Sequence, residues 1–310
     1  MRRDGDEKLI AAREAASLRP RDAEAALAHG EALLAAEHLP DAIAELQRAL
    51  RLDHELASAR FALGRAWLAA GEPDKALEAF ARLNPRHAGL RAAIAEAEAM
   101  RARPRSDAGY VRHLFDQFSA DYDSRMIEQL SYRAPQILRE LADLVVPGRG
   151  PFEILDLGCG TGLTGATFKD IALHLDGIDL SPAMIEKARV RHIYRTLAVR
   201  DLETALSQDG TSYDLILAAD TLVYLGDLTK TFDGAFARLR PGGFFLFTVE
   251  QKEGEGFEFG PKRRWRHSQS YLRLQAQRAG FDTAGLVACA PRHEAKVPVQ
   301  GLAVALSRIA

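Results

Sequence analysis

Apolar positions in the first hundred residues recur at helical spacing, and between them stand Ala, Leu, Glu and Arg with almost no β-branched runs. Residues Asp6 to Arg103 are therefore predicted to be helical. The pattern repeats at an offset of 34 residues: Gly30 falls on Gly64, Leu33 on Trp67, Ala42 on Ala76 and Leu46 on Phe80. Each repeat reads as two antiparallel helices, the glycine of the first admitting the large apolar residue of the second. Pro40-Asp41 and Pro73-Asp74 stand at helix starts, where a missing N–H costs nothing and negative charge is favoured. Leu9–Leu18 and Leu90–Met100 are expected to cap the stack, and Arg101 to Asp107 reads as a linker.

A further helical stretch, Tyr110 to about Val145, precedes a change of period at Pro147-Gly148-Arg149-Gly150. Beyond it, short apolar runs alternate with helix-length segments: Phe152–Leu157, Leu173–Ile178, Thr196–Val199, Tyr213–Ala218, Gly243–Val249, Thr283–Cys289 and Leu302–Ser307. Alternation of this kind predicts an α/β fold with a doubly wound, mostly parallel sheet. The last two runs have no helix between them and are expected to pair antiparallel at one edge. A chain of 310 residues accommodates two domains, here 1–106, all-α, and 107–310, α/β.

Composition narrows the classes of function. Basic and acidic side chains number 41 and 43 and are near balance in both parts, so neither has the basic excess of a general nucleic-acid binder. Two cysteines, Cys159 and Cys289, make no disulfide framework and fit a reducing cytoplasm. No signal-like segment follows Met1-Arg2-Arg3, and no apolar stretch is long enough for a membrane span. No Cys/His cluster points to structural zinc.

Candidate chemistry centres on Asp156-Leu157-Gly158-Cys159-Gly160-Thr161-Gly162, a buried strand entering a glycine-rich turn before a helix. Glycines are required there because a ligand approaches the backbone where side chains would collide. Gly160 to Gly165 also satisfies G-x-G-x-x-G, the dinucleotide fingerprint. That pattern starts late relative to the strand, however, and acids follow four successive strands: Asp156, Asp179, Asp201 and Asp220. A rim of carboxylates repels a diphosphate and suits a cofactor bearing a sulfonium and an ammonium group.

On these residues the chain resembles the class I S-adenosylmethionine-dependent methyltransferases over about residues 107–310. Over about 23–85 it resembles the tetratricopeptide family, and the combination is that of the tetratricopeptide-fused methyltransferases. His29, His54 and the truncated end at Leu83-Asn84-Pro85 depart from the repeat pattern. The first resemblance implies S-adenosylmethionine as cofactor, with Gly158, Gly160 and Gly162 beneath it, Cys159 within the turn, and Asp156 at its methionyl end. Asp179 would take the ribose hydroxyls, Leu180 and Met184 would flank the adenine, and Asp201-Leu202 would read its amino edge. Asp220 and Thr221 would face the transferred methyl, Tyr122 would lie over the sulfonium, and Arg133, with Tyr132, would pair with the cofactor carboxylate.

Methyl transfer from a sulfonium demands positioning and desolvation above all, and a base only for alcohols, phenols or protonated amines. Tyr224 stands where acceptors are expected to enter. His267 is the candidate base, since its ordinary pKa is near neutrality. Lys262-Arg263-Arg264-Trp265-Arg266-His267 is expected to attract an acidic small molecule and, with the glycine-rich Glu253–Gly260 stretch, to form a mobile flap. The expected function is O- or N-methylation of a small molecule in the cytoplasm, without nucleic acid or membrane. The repeats would serve self-association or a protein partner. A protein acceptor recruited through the repeats, and a non-catalytic S-adenosylmethionine-binding adaptor, are the alternatives.

Overall fold

The computed structural model describes residues 2–103, 105–208, 210–260 and 263–309, so Lys262 of the basic loop lies outside the described residues. Two compact units divide the chain, Met1–Arg103 and Pro104–Ala310.

The first unit consists of helices α1 (Arg2–Leu18), α2 (Ala23–Ala35), α3 (Leu39–Leu52), α4 (Ala57–Ala69), α5 (Pro73–Phe80) and α6 (Leu90–Ala102). Asp22 starts α2 by accepting from the N–H groups of Glu24 and Ala25, and prolines sit in the first turns of α3 and α5. The 34-residue offset is visible as packing. A Cβ on Gly30 would lie 2.7 Å from Leu46 Cγ, and one on Gly64 would lie 2.1 Å from Phe80 Cε1. Leu46 and Phe80 are buried by this approach, each in its own apolar cluster.

The second unit opens with α7 (Ala108–Phe118), a 3-10 turn (Ser119–Asp121), α8 (Tyr122–Ser124), a π turn (Arg125–Gln129) and α9 (Ala134–Val145). The helical stretch expected from Tyr110 to about Val145 is thus helical, in several short segments. Ser119 and Ser124 turn their hydroxyls onto the carbonyls of Asp116 and Asp121, Ser131 has φ +46°, and Pro135 enters at the start of α9. Each of these interrupts or restarts helical hydrogen bonding.

The sheet then forms from β1 (Phe152–Leu157), β2 (Ala172–Asp179), β3 (Thr196–Val199), β4 (Tyr213–Ala218) and β5 (Leu239–Gln251), with β8 (Phe281–Cys289) and β11 (Gly301–Arg308) completing its order β3-β2-β1-β4-β5-β11-β8. Helices α10 (Leu163–Phe168), α11 (Pro182–Val190), α12 (Leu202–Leu206), α13 (Thr229–Arg238) and α14 (Gln269–Ala279) connect the strands. β1 to β5 pair parallel, while β11 runs antiparallel to both β5 and β8, which is the antiparallel edge expected from the sequence. Side-chain alternation gives the sheet two cores. Leu155, Leu157, Phe245, Phe247 and Val249 enter one, and Ile154, Phe244 and Leu246 enter the other, against α9.

Four short strands were not expected. β6 (Phe257–Phe259) and β7 (Trp265–His267) form an antiparallel pair that joins the sheet through Glu250 and Gln251 at the far end of β5. β9 (His293–Glu294) and β10 (Val297–Pro298) form a small hairpin between β8 and β11. The mobile flap read from Glu253 to His267 is therefore corrected, because Phe257–Phe259 and Trp265–His267 within it are hydrogen-bonded strands. No described helix is long and apolar enough to cross a membrane.

Candidate functional site

β2 lies on one side of β1 and β4 on the other, so the chain reverses its winding between β1 and β4. In an open α/β sheet the crevice above this point receives the ligand. A cavity of about 530 Å3 opens there, walled by the glycine turn after β1, the ends of β2 and β4, and residues of α7 to the π turn.

The glycine turn shows why side chains are excluded. Gly160 has φ +55°, and a Cβ there would meet no atom within 4 Å, since it would point into the cavity. Gly158, at φ +66°, fails for the opposite reason: its Cβ would lie 2.5 Å from Thr221. Thr221 Oγ1 donates to the Leu157 carbonyl at 3.0 Å and so fastens the end of β4 to the turn.

Asp179, at the end of β2, lines the cavity and is almost wholly buried. Its Oδ2 accepts from Gly160 N–H at 2.9 Å and its Oδ1 from Ser181 N–H at 2.8 Å. Burial still pushes its pKa up, past the lowering by those backbone donors. This carboxylate faces a space that fits hydroxyl donors. Ser181 caps α11 through Met184 N–H and donates to Asp116 of α7, while Asp123 of α8 holds Thr161 and Arg191. These bonds fasten the helical segment over the glycine turn.

At the other end of the cavity stand Tyr122, Asp220, Tyr224, Arg264, Arg292 and Glu294. Asp220 follows β4 with φ +56°, a strained backbone for a residue other than glycine. Its N–H donates to Thr248 Oγ1 at 2.8 Å, and its carboxylate is gripped by Arg292, whose side chain is completely buried. Arg292 also binds Glu250, the last carboxylate of β5, and Glu294 at 3.2 Å. Arg264 binds Glu294 and stands beside the Tyr224 hydroxyl. The segment carrying Arg292 is stitched to the helical segment, as Arg133 N–H donates to Pro291 O at 2.8 Å and His293 N–H to Leu130 O at 2.6 Å.

Of the residues expected at the site, Tyr122, Gly158, Gly160, Asp179, Leu180, Leu202, Asp220, Thr221 and Tyr224 are brought together on this one cavity. Others are not. His267 is completely buried in β7, stacked on Tyr271, with Nε2 3.0 Å from Gly226 O. Burial lowers its pKa to about 4, so it is corrected from candidate base to a packed core residue. Arg133 turns outward to Glu140 at 3.0 Å with 60% of its side chain exposed, and holds no cavity position. Tyr132 is partly buried and its hydroxyl lies 3.4 Å from Ala219 O.

Asp156 is likewise corrected, because it has no exposed surface. It lies beneath the turn and accepts from the Tyr194 hydroxyl at 2.8 Å, and burial lifts its pKa to about 7. Asp201 caps α12 and binds Arg105 at 2.6 Å, Met184 is core, Cys159 is buried with a thiol pKa pushed up by that burial, and Gly162 ends the turn against Arg191. The basic cluster is corrected too. Arg263 lies over the Tyr110 ring, Arg266 pairs with Glu258, and only Arg264 of its described residues reaches the cavity wall. Arg292, Glu250 and Glu294 were missed. Glu250 carries the same signal as the other four acids, a carboxylate at the end of a strand, here β5.

A family model described as a methyltransferase domain matches residues 155–245. Aklanonic acid methyltransferase DauC of a Streptomyces species is 32% identical over 163 residues, which are 49% of this chain and 70% of that one. The bovine 18S rRNA (guanine-N(7))-methyltransferase is 30% identical over 150 residues, 48% of this chain and 52% of that one. Most of the leading curated relatives are spanned over about half their length. The crystal structure of magnesium protoporphyrin IX methyltransferase from Synechocystis, with bound S-adenosylhomocysteine, shares the fold at a TM-score of 0.52 and 16% identity, covering 66% of this chain and all of that one.

Proposed function

The chain belongs to the S-adenosylmethionine-dependent methyltransferases, and on that premise we propose that it methylates an oxygen or nitrogen atom of a small molecule bound in the cavity between the glycine turn and Tyr224. The observation that carries this reading is a single half-enclosed cavity with two chemically different ends. One has a backbone cradle and a buried carboxylate; the other has tyrosines, Asp220 and arginines. A pocket of this volume, more apolar than polar on its walls, is of a size for small ligands. Relatives acting on small molecules and on RNA both occur, and the enclosure favours the former.

S-adenosylmethionine, when bound, supplies an activated methyl group on a good leaving group. In this reading Asp179 accepts the ribose hydroxyls, Leu180 and Leu202 flank the adenine, and the Gly158–Gly160 backbone lies under the methionyl part. Tyr122 closes the space above the reacting carbon and excludes water. Asp156, Asp201, Met184 and Gly162 act from behind, holding the turn and the helix starts in place. The helical front unit, with glycine contacts recurring at 34 residues, reads as tetratricopeptide-like and as a stack for assembly or a protein partner.

Calorimetric titration of the full chain with S-adenosylmethionine, S-adenosylhomocysteine and NAD tests the cofactor assignment. Both adenosyl ligands should bind and NAD should not. Asp179→Asn should weaken them by at least about tenfold, the worth of charged hydrogen bonds in a buried site. Tight NAD binding without adenosyl binding would overturn the reading.

A further inference from the structure

The acceptor end of the cavity carries a pattern of donors and acceptors that specifies more than a small molecule. The Arg264 guanidinium stands beside the Tyr224 hydroxyl, and a guanidinium can only donate, so the Tyr224 oxygen is the acceptor toward it and its own proton is left to be given elsewhere. Tyr122 makes no hydrogen bond through its hydroxyl among the described residues and shares the cavity wall with Tyr224 and Asp220. Burial raises the pKa of both phenols, so neither ionises near neutrality, and both present O–H groups. Beside them Asp220 contributes a carboxylate, which accepts only, held in its strained backbone by the buried Arg292.

The rest of the lining near them is apolar and aromatic. Val111, Leu114, Phe115, Met126 and Leu130 contribute to it, with the Phe115 ring edge-on to both Tyr224, at 5.6 Å, and Tyr122, at 6.2 Å. An apolar, aromatic body suits such a lining. Its polar edge must then offer an oxygen that accepts from Tyr122 or Tyr224 and, beside it, a hydroxyl that donates to Asp220. An ammonium at this position would leave the Tyr122 and Tyr224 protons without an acceptor, and a carboxylate lacking the hydroxyl would face Asp220.

Resting on the methyltransferase reading above, we propose that the acceptor is a hydroxy-carbonyl aromatic compound, a phenol or enol with a neighbouring C=O, methylated on its hydroxyl oxygen. Asp220 takes the hydroxyl proton as the oxygen forms its bond to the methyl carbon. The carbon–sulfur bond of the sulfonium breaks with its electron pair returning to sulfur, leaving a neutral thioether and an O-methyl ether. The proton then passes from Asp220 to solvent.

The full chain saturated with S-adenosylhomocysteine is titrated calorimetrically with three matched probes: 2-acetyl-1-naphthol, 2-acetylnaphthalene and 1-naphthylmethylamine. The hydroxy ketone should bind at least about tenfold more tightly than either of the others, the effect of one well-made hydrogen bond to a buried charged group. Tyr224→Phe, which keeps the ring against Phe115, and Asp220→Asn should each reduce that preference by about fivefold or more. Tyr224→Phe should leave S-adenosylhomocysteine affinity within about twofold. Equal binding of the hydroxy and deoxy ketones, preference for the amine, or binding of no probe would each overturn the acceptor class while the cofactor reading stood. Failure of S-adenosylhomocysteine itself to bind would overturn the cofactor reading and the acceptor class with it.

Discussion

At the scale of single residues, burial decides which of the chemically suggestive side chains work at the cavity and which support it. Asp156 is the sharpest case. Its folded pKa of about 7 lies above the ordinary carboxylate value, so the folded state binds a proton that the unfolded chain has already released. A group with a raised folded pKa stabilises fully below its unfolded value, and that contribution is lost as pH rises from about 4 to about 7. Asp156→Asn keeps an oxygen for the Tyr194 hydroxyl and removes the buried charge. Without cofactor, the variant should be more stable than the parent at pH 8 by on the order of a few kcal/mol in denaturant unfolding, with the gap closing by pH 5. A gap unchanged with pH would mean that the carboxylate is not protonated in the folded state. The two glycines separate in the same way. Gly158→Ala should destabilise the fold by about 1–3 kcal/mol, because Thr221 cannot retreat without releasing β4 from the turn. Gly160→Ala should cost only about 1 kcal/mol of strain in thermal melting but weaken S-adenosylhomocysteine binding by at least about tenfold, since its methyl enters the cavity. Equal loss of stability in both variants would contradict this division.

At the scale of elements, periodicity carried the regular strands and helices, and hydrogen-bonding accidents decided the rest. The seven main strands were legible because each is a short, largely apolar run ending at a glycine, an acid or a turn. The break between α7 and α9 was not, since it depends on serine hydroxyls that find backbone carbonyls only in the folded chain. β6 and β7 were hidden by their charge: Glu258 and Arg266 read as loop residues yet pair across the two strands. His267 shows the consequence for the site, because a histidine among four basic residues looks solvated in sequence and is core in space. Its pKa is depressed, so its contribution to stability is complete above about 6.5 and is lost as pH falls from there to about 4. Wild-type stability should therefore fall by on the order of 3 kcal/mol more than that of His267→Gln over this interval. Parallel loss in both proteins would show that His267 is not buried neutral. Arg292 was illegible for a different reason. It follows the sixth long strand in a segment with no periodicity, and reaches Asp220 only because Pro291 and His293 are tied to Arg133 and Leu130.

At the scale of the whole molecule, the two units have separate interiors. The apolar clusters around Leu46 and Phe80 contain only residues of the first unit, and those on the two faces of the sheet contain only residues of the second. The cavity is likewise walled wholly from the second unit. A defect confined to the first unit should then leave cofactor binding intact. Gly64→Ala supplies one, because a Cβ 2.1 Å from a buried phenylalanine ring atom must displace α5 or that ring. Overpacking of this kind costs about 1–3 kcal/mol, a fall of roughly 5–20 °C in melting temperature for a unit of about a hundred residues. Circular dichroism melts of parent and variant, each with and without saturating S-adenosylhomocysteine, separate the consequences. The helix-dominated part of the melt should drop in the variant, the ligand should raise only the remaining part, and calorimetric affinity for the ligand should match the parent within about twofold. A single transition that falls as one in the variant and rises as one with ligand would instead mean that the units unfold together, and that the repeats stabilise the methyltransferase fold directly.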